Sequence, residues 1–351
     1  MNTQLGFLAE ILFALYLAKQ AETEPESPLG TISPTRKFTD TMGMRWQRWD
    51  NSISIATPAK LNLYLEVLGK RVDGFHELET VITTVDRFDE LRITRSKPDG
   101  IQLSCYWHPA LKHCPGVGPG MFGDLPSGAD NLVFRAAEIF FSELGIKSGL
   151  TIELNKMIPS QAGLGGASGN AAGTLIALDQ LFGTRLPANQ LVDLAARLGS
   201  DVPFFITGGA AFCTGRGEQV AQFNIDDDLY FVVVKPPFGA STQDVFQKLK
   251  LGKEVKTFPR DNLSTKSFDW PNNLFNRLQE PMMESSREIG EVCDFLQDSG
   301  CLASLMTGSG SCCFGICNDG IQASEIANNV VEAGLGFVFT CQNLKDFSVP
   351  F

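Results

Sequence analysis

Ile158-Pro159-Ser160-Gln161-Ala162-Gly163-Leu164-Gly165-Gly166-Ala167-Ser168-Gly169-Asn170 is the stretch on which the fold turns. A strand-like run over residues 150–154 precedes it, and a helical pattern over 171–181 follows without a break. Strand, glycine loop and helix in that order make a site for an anion. Glycine lets the backbone approach a phosphate, while the unpaired N–H groups and the dipole of a helix N-terminus favour negative charge. The plainer alternative is a tight strand-to-helix turn with no ligand. Spacing excludes three familiar phosphate loops. A Walker loop needs Lys and then Ser or Thr after its last glycine, and no lysine stands between Gly163 and Asn170. A dinucleotide fingerprint counted from Gly163 and Gly165 meets Ser168 at its third small position, far too late in the chain to be a first strand-to-helix turn. The HRD and DFG sequences that accompany a protein-kinase glycine loop are missing.

Upstream of the loop, alternation over 52–55 and the run 61–67, followed by a turn over 70–74, predict a β-hairpin. Two further strands are expected over 79–85 and 90–94, then a Gly- and Pro-rich loop insertion over 106–129. Asn131 opens an amphipathic helical pattern. The first fifty residues differ in character: an apolar run over 5–18 gives way to polar, Pro-containing sequence up to Asn51. That run contains Glu10, is too short to span a bilayer, and lacks the basic flank and cleavage site of a secretory signal. Residues 1–50 are therefore read as a disordered extension, or as a start placed too early with Met42 or Met44 as the true one. An amphipathic helix resting on a partner or membrane is the other reading.

The composition of the 351-residue chain, 43% hydrophobic and 20% charged, is that of a globular protein long enough for two domains. A net charge of -11 argues against nucleic-acid binding, which needs a basic face. Nine cysteines without CxxC spacing suggest neither a zinc site nor a disulfide framework, but reduced thiols in a cytoplasm. His108 and His113, beside Cys105 and Cys114, match no zinc pattern either. No membrane association is expected.

Two ionisable residues stand in unusual settings. Asp201, between Ser200 and the apolar run 202–206, places a carboxylate at a buried edge, where it can serve as a base or simply cap a helix. Lys60, between Ala59 and Leu61 on an expected strand, needs a partner unless it lies on a solvated edge. Lys156, just ahead of the loop, can reach a nucleotide or be an ordinary surface lysine.

The loop resembles that of the GHMP family of small-molecule kinases, in which Pro is followed by Gly-Leu-Gly-Gly-small-Ser-Ser-Asn-Ala-Ala. The string runs here from Pro159 and from Gly163 to Ala172, with Gly169 where the family usually has a second Ser. Two more blocks are similar to family motifs, Pro58-Ala59-Lys60-Leu61-Asn62-Leu63 near the start and Leu305-Met306-Thr307-Gly308-Ser309-Gly310-Ser311 near the end. The blocks Asp73-Gly74-Phe75-His76 and Gly199-Ser200-Asp201-Val202-Pro203-Phe204 resemble a branch whose alcohol substrate carries a cytidyl group.

The resemblance implies an α+β, two-lobed fold, with the glycine loop in an N-terminal lobe over 51–212 and a ferredoxin-like C-terminal lobe over 213–351. It implies ATP and Mg2+ as cofactors and a small-molecule cytidyl alcohol as substrate, with no metal ligand assigned. By the same resemblance Lys60 and Asp201 are catalytic, Asp201 as general base. Lys156, Pro159, Gly163, Leu164, Gly165, Gly166, Ser168 and Asn170 would hold ATP. Asn62, Phe75, His76, Thr242 and Phe246 would hold the alcohol, Phe75 stacking on the base where the family normally has Tyr, His76 bonding to its edge, and Phe246 covering the opposite face. Gly169 has no side chain with which to help hold the metal. Another kinase of this fold, acting on homoserine, mevalonate or a sugar, is the nearest alternative. A catalytically silent ATP-binding regulator is a further one.

Overall fold

A computed structural model describes residues 46–345 except 98, 119, 240, 241, 252, 253 and 261–267. The apolar run at 5–18, and Met42 and Met44, lie outside the described residues. The described residues all belong to one compact unit.

The larger sheet is built from β1 (Trp46–Arg48), β2 (Ser52–Lys70), β3 (His76–Ser96), β4 (Gly100–Trp107), β5 (Gly149–Lys156), β6 (Ala210–Gly215) and β7 (Gln219–Phe223). Its main path runs β1-β2-β3-β5-β4, with β6 pairing β3 and then β7. Helices α1 (Leu132–Leu144), α2 (Gly166–Phe182), α3 (Ala188–Leu198) and α4 (Val202–Thr207) contribute to its core. The expected hairpin is present as β2 and β3. The two strands expected over 79–85 and 90–94 are one, β3, with a break of register where Ala59 faces Val85 and Pro58 faces Phe88. Proline cannot donate to a ladder, so the strand pair bulges at that point and continues.

Strand β4 was not anticipated, and its last two residues, Tyr106 and Trp107, lie inside the expected 106–129 insertion. It lies parallel to β5 with alternate residues exposed, and Ile101, Leu103 and Cys105 turn toward the core. Helix α1 starts where expected. The Asn131 side chain accepts from Val133 N at 2.9 Å, and Gly145 closes the helix with a left-handed φ of 62°. Helix α2 is buried on nearly every side, as suits the central helix under the sheet.

The second sheet comprises β8 (Tyr230–Lys235), β10 (Ala303–Met306), β11 (Cys313–Cys317) and β12 (Phe337–Gln342), in the order β10-β11-β8-β12, all antiparallel. Helix α8 (Glu288–Asp298) falls between β8 and β10, and α9 (Gly320–Ala333) between β11 and β12. This is the ferredoxin-like arrangement. The shorter helices α5 (Thr242–Lys248), α6 (Trp270–Asn273) and α7 (Gln279–Met283) lie between β8 and α8 in the chain. Leu61 and Leu63 of β2 share an apolar cluster with Phe231, Val233 and Phe314 of the second sheet, so one core joins the two. Among the described residues no helix is long and apolar enough to cross a membrane.

The boundaries differ from those expected. Position 212 falls inside β6, because Phe212 pairs with Val81 of β3, and the second sheet begins only at Tyr230. The short strand β9 (Phe275–Asn276) then returns to pair with Tyr64 and Leu65 of β2. At the other end β1 lies within the segment 1–50 and pairs with Ile53, Ser54 and Ile55.

Glu66 of β2 secures that return. Its carboxylate, 1% exposed, accepts from Arg277 Nε at 2.7 Å and Nη2 at 2.6 Å, and from the backbone N–H groups of Val67 and Lys256. Glu66→Ala leaves the guanidinium without this partner and is expected to lower the unfolding free energy by about 3 kcal/mol, measured by urea denaturation. Burial alone would raise the Glu66 pKa, but the bonds from Arg277, Lys256 and Val67 hold it below the ordinary value. The wild-type advantage over the variant should therefore be complete above the ordinary carboxylate pKa and vanish as pH falls through the lower folded one.

Candidate active site

Backbone contact comes first in building the site. Gly163 has a φ of 76°, and a β-carbon there would lie 2.1 Å from the Thr307 carbonyl oxygen. Only glycine lets the loop meet the 305–311 motif this closely. Thr307 Oγ1 accepts from Asn62 N at 3.0 Å and lies 3.4 Å from both Asn62 Oδ1 and the Gly163 carbonyl. Lys60 N donates to Leu164 O at 2.9 Å, and Cys312 N to Ala162 O at 3.2 Å. The three sequence blocks, far apart in the chain, thus meet at one point. Gly165, at φ 68°, opens α2, whose first N–H groups have no intrahelical acceptor and so suit an anion.

Lys60 and Asp201 face each other beside this loop. Lys60 is 4% exposed, and its Nζ lies 3.7 Å from Asp201 Oδ2 while also donating to Asn62 Oδ1. A β-carbon on Gly165 would come within 2.8 Å of Lys60 Cγ, so the ammonium stem passes directly under the loop. Asp201 stands at the start of α4 but makes no capping bond, which leaves its partly exposed carboxylate available. Phe205 of the same helix fills the space below Gly165 and Gly169, tying the Asp201 segment to the loop.

Lys156 is also buried, at 4% exposed, and its Nζ donates to Asp89. Asp89 is fully buried, and its other oxygen accepts from Met157 N at 2.7 Å and Ile158 N at 2.8 Å. A surface lysine is thus ruled out. A β-carbon on Gly166 would lie 3.1 Å from Lys156 Nζ, which puts that charge beside the helix N-terminus. Sequence reasoning missed Asp89. Its only signal was an acidic residue between Phe88 and Glu90 on an expected strand, which equally suits a solvated face.

Other residues sit differently from the expectation. Asn62 is 2% exposed, and its amide is taken up by Lys60, Thr307 and Thr80, so it orients Lys60 from behind. Asn170 is 1% exposed and accepts from Thr57 Oγ1 at 2.6 Å, which turns it toward β2. Pro159 and Leu164 are buried in the loop's flank, while Ser168 is half-buried on α2. Gly169 packs against β2: a β-carbon would meet the Pro58 carbonyl oxygen at 2.9 Å.

On the other side, Phe75 is 50% exposed at the hairpin turn. His76 stacks on Phe246 with centroids 4.8 Å apart and planes 24° from parallel. Phe246 thus backs the imidazole ring of His76. Burial, with the Lys70 charge behind it, holds the His76 pKa below its ordinary value. Thr242 Oγ1 meets Ser309 Oγ at 2.9 Å and so touches the loop of the third motif. An open concavity of about 420 Å³ near Trp270 and Leu302 contains none of these residues.

Comparison with known proteins identifies the family. Residues 131–209 match the family model described as GHMP kinases N terminal domain, and residues 260–335 the model described as GHMP kinases C terminal. The chain is similar to the 4-diphosphocytidyl-2-C-methyl-D-erythritol kinase of Pelotomaculum thermopropionicum, at 36% identity over 78% of this chain and 92% of that one. It is also similar to a crystal structure of 4-(cytidine 5'-diphospho)-2C-methyl-D-erythritol kinase, with a TM-score of 0.67 and 29% identity over 82% of this chain and 98% of the other. A homoserine kinase from Cytophaga hutchinsonii, at 19% identity and a TM-score of 0.61 over 86% of this chain and 97% of its own, shares the fold.

The position of Gly169 can be tested directly. Introducing the usual serine, Gly169→Ser, is expected to cost about 1 to 3 kcal/mol of stability in urea unfolding, because the new atoms press on the Pro58 carbonyl. ATP titration should show no gain in affinity. A variant as stable as wild type would mean that the loop can move away from β2.

Proposed function

Because the chain belongs to the GHMP kinases, we propose that it transfers the γ-phosphoryl group of ATP to the 2-hydroxyl of 4-diphosphocytidyl-2-C-methyl-D-erythritol, in the non-mevalonate route to isoprenoid precursors. The observation that carries the reading is the approach of Lys60 Nζ to 3.7 Å from Asp201 Oδ2 beside Gly165, where a helix N-terminus can hold phosphate. A substrate hydroxyl placed at that pair can give its proton to Asp201 as its oxygen attacks the γ-phosphorus. The bond to the bridging oxygen then breaks and ADP leaves. Lys60 supplies fixed positive charge next to the attacking oxygen, and its burial makes that charge count for more than it would in water. Lys156, held by Asp89, offers a second cation at the nucleotide side.

Magnesium fits the donor set in a limited way. Among the described residues no group of three acidic, histidine or cysteine side chains could hold a metal ion, so the ion would be held mainly by the ATP phosphates, with the Ser168 hydroxyl in the first turn of α2 available to it. Bound there, it would neutralise charge on the transferring group. Gly169 stands where the family usually has serine, and its packing against Pro58 supplies a structural reason for the glycine. All nine cysteines are free thiols, in keeping with a reducing compartment such as the cytoplasm.

Asp201→Asn and Lys60→Ala should each lower turnover by about a hundredfold or more, with circular dichroism unchanged. The assay is ADP release with ATP, magnesium and a panel of alcohols comprising the cytidyl alcohol, homoserine, mevalonate and a sugar. Preference for any of the last three would overturn the substrate. Either variant keeping half of wild-type turnover would remove that residue from the chemistry.

The pH profile tests His76. Its neutral ring can donate with one nitrogen and accept with the other, which suits the mixed edge of cytosine. The Michaelis constant for the cytidyl alcohol should therefore rise only as pH falls below the ordinary histidine value of about 6.5, since the free protein's pKa is depressed. The constant for ATP should not follow it. A flat profile would exclude His76 from base recognition.

A further inference from the structure

The turn between β6 and β7 reaches two parts of the site at once. Register places Gly215 opposite Leu78 of β3, which brings the turn alongside the hairpin that carries Phe75 and His76. The Arg216 guanidinium lies over the Phe75 ring, 4.7 Å from its centroid. At the next residue, Gly217, a β-carbon would stand 3.8 Å from Asp201 Oδ1 and 3.8 Å from Ser200 Cβ. Consecutive residues of one turn therefore adjoin the aromatic on one side and the carboxylate on the other. Adjacent α-carbons are only about 3.8 Å apart, so any ligand that joins these two points must run past the turn.

Arg216 is suited to receive charge there. Among the described residues its one ion pair is the loose 3.9 Å approach of Nε to Glu218 Oε1, while the other oxygen of Glu218 is occupied by the backbone N–H of Arg216 at 2.6 Å. The carboxylate thus shapes the turn more than it neutralises the guanidinium. Phe75, half exposed, keeps open ring surface beyond the part that Arg216 covers. A planar guanidinium can bond two phosphate oxygens at once.

We propose that Arg216 is a specificity-determining residue that binds the diphosphate of the alcohol substrate, between a base at Phe75 and a hydroxyl at Asp201. The inference rests on the cytidyl reading above and adds to it the group that reads the linker. A substrate whose base and alcohol are joined by a diphosphate carries its two negative charges where Arg216 lies. An uncharged or shorter linker leaves the guanidinium unmatched, so the residue selects for the nucleoside diphosphate and not for the base alone.

Cytidine and CDP, titrated as inhibitors of wild type, Arg216→Ala and Arg216→Lys, separate the possibilities. Wild type should bind CDP more tightly than cytidine. In Arg216→Ala that ratio should fall by about tenfold or more, the size expected for lost charge-assisted hydrogen bonds, with part of it restored by the lysine. Thermal melting should match wild type. Cytidine binding alone reports any loosening of Phe75, so an equal weakening of cytidine and CDP would show that Arg216 acts only by packing and would overturn the proposal. Unchanged binding of both would overturn it as well. Wild-type protein that binds neither compound would overturn the cytidyl reading, and the role of Arg216 with it.

Discussion

The loop at Gly163 and the loop at Thr307 touch through their backbones, with the Thr307 carbonyl where a side chain on residue 163 would have to begin. Much else follows from that contact. It brings a loop that leaves the larger sheet against one that leaves the second sheet, and at Gly308 too a β-carbon would crowd the Gly163 carbonyl oxygen, at 3.1 Å. Asn62 completes the joint from β2, donating its N–H to Thr307 and using its side-chain oxygen to hold Lys60. A helix N-terminus binds anions well only if it is held still, and here two sheets hold it.

Buried charge is distributed in the same economical pattern around the joint. Lys60 and Lys156 are each 4% exposed, and each has a carboxylate nearby. The pairs differ in a way that matters for chemistry. Asp89 is fully buried and spends its second oxygen on backbone N–H groups, so its pair with Lys156 is structural, fixing the residues that lead into the loop. Asp201 is partly exposed and has no capping bond, so its pair with Lys60 is open to a third party. A charge left alone in such surroundings would be costly, whereas one shared with a reacting hydroxyl is useful.

The aromatic side follows a different rule. His76 gains its orientation from the face of Phe246, while Phe75 stays half exposed and meets Arg216 instead. Stacking contributes surface without directional bonds, and Phe offers the same ring face as the tyrosine usual in the family. Groups that can bond stand beside this surface: the imidazole edge of His76 and the guanidinium of Arg216.

How much was legible in the chain depended on distance along it. The glycine loop, the hairpin turn before His76 and the cap at Asn131 are encoded by neighbouring residues, through φ angles and hydrogen bonds only a few positions long, and each was found where the sequence placed it. The order of the three motifs identified the family for the same reason. Asp89 could not be singled out, because its partner lies 67 residues away and an acidic residue in a strand also suits a solvated surface. Nor could the reason for Gly169, which is the Pro58 carbonyl of a distant strand, or the stacking of Phe246 on His76. The sequence by itself determined which local shapes form and what kind of anion they can receive. Only tertiary packing decided which charges face one another across those shapes, since contacts between strands and helices remote in the chain are set by how the sheets and cores close.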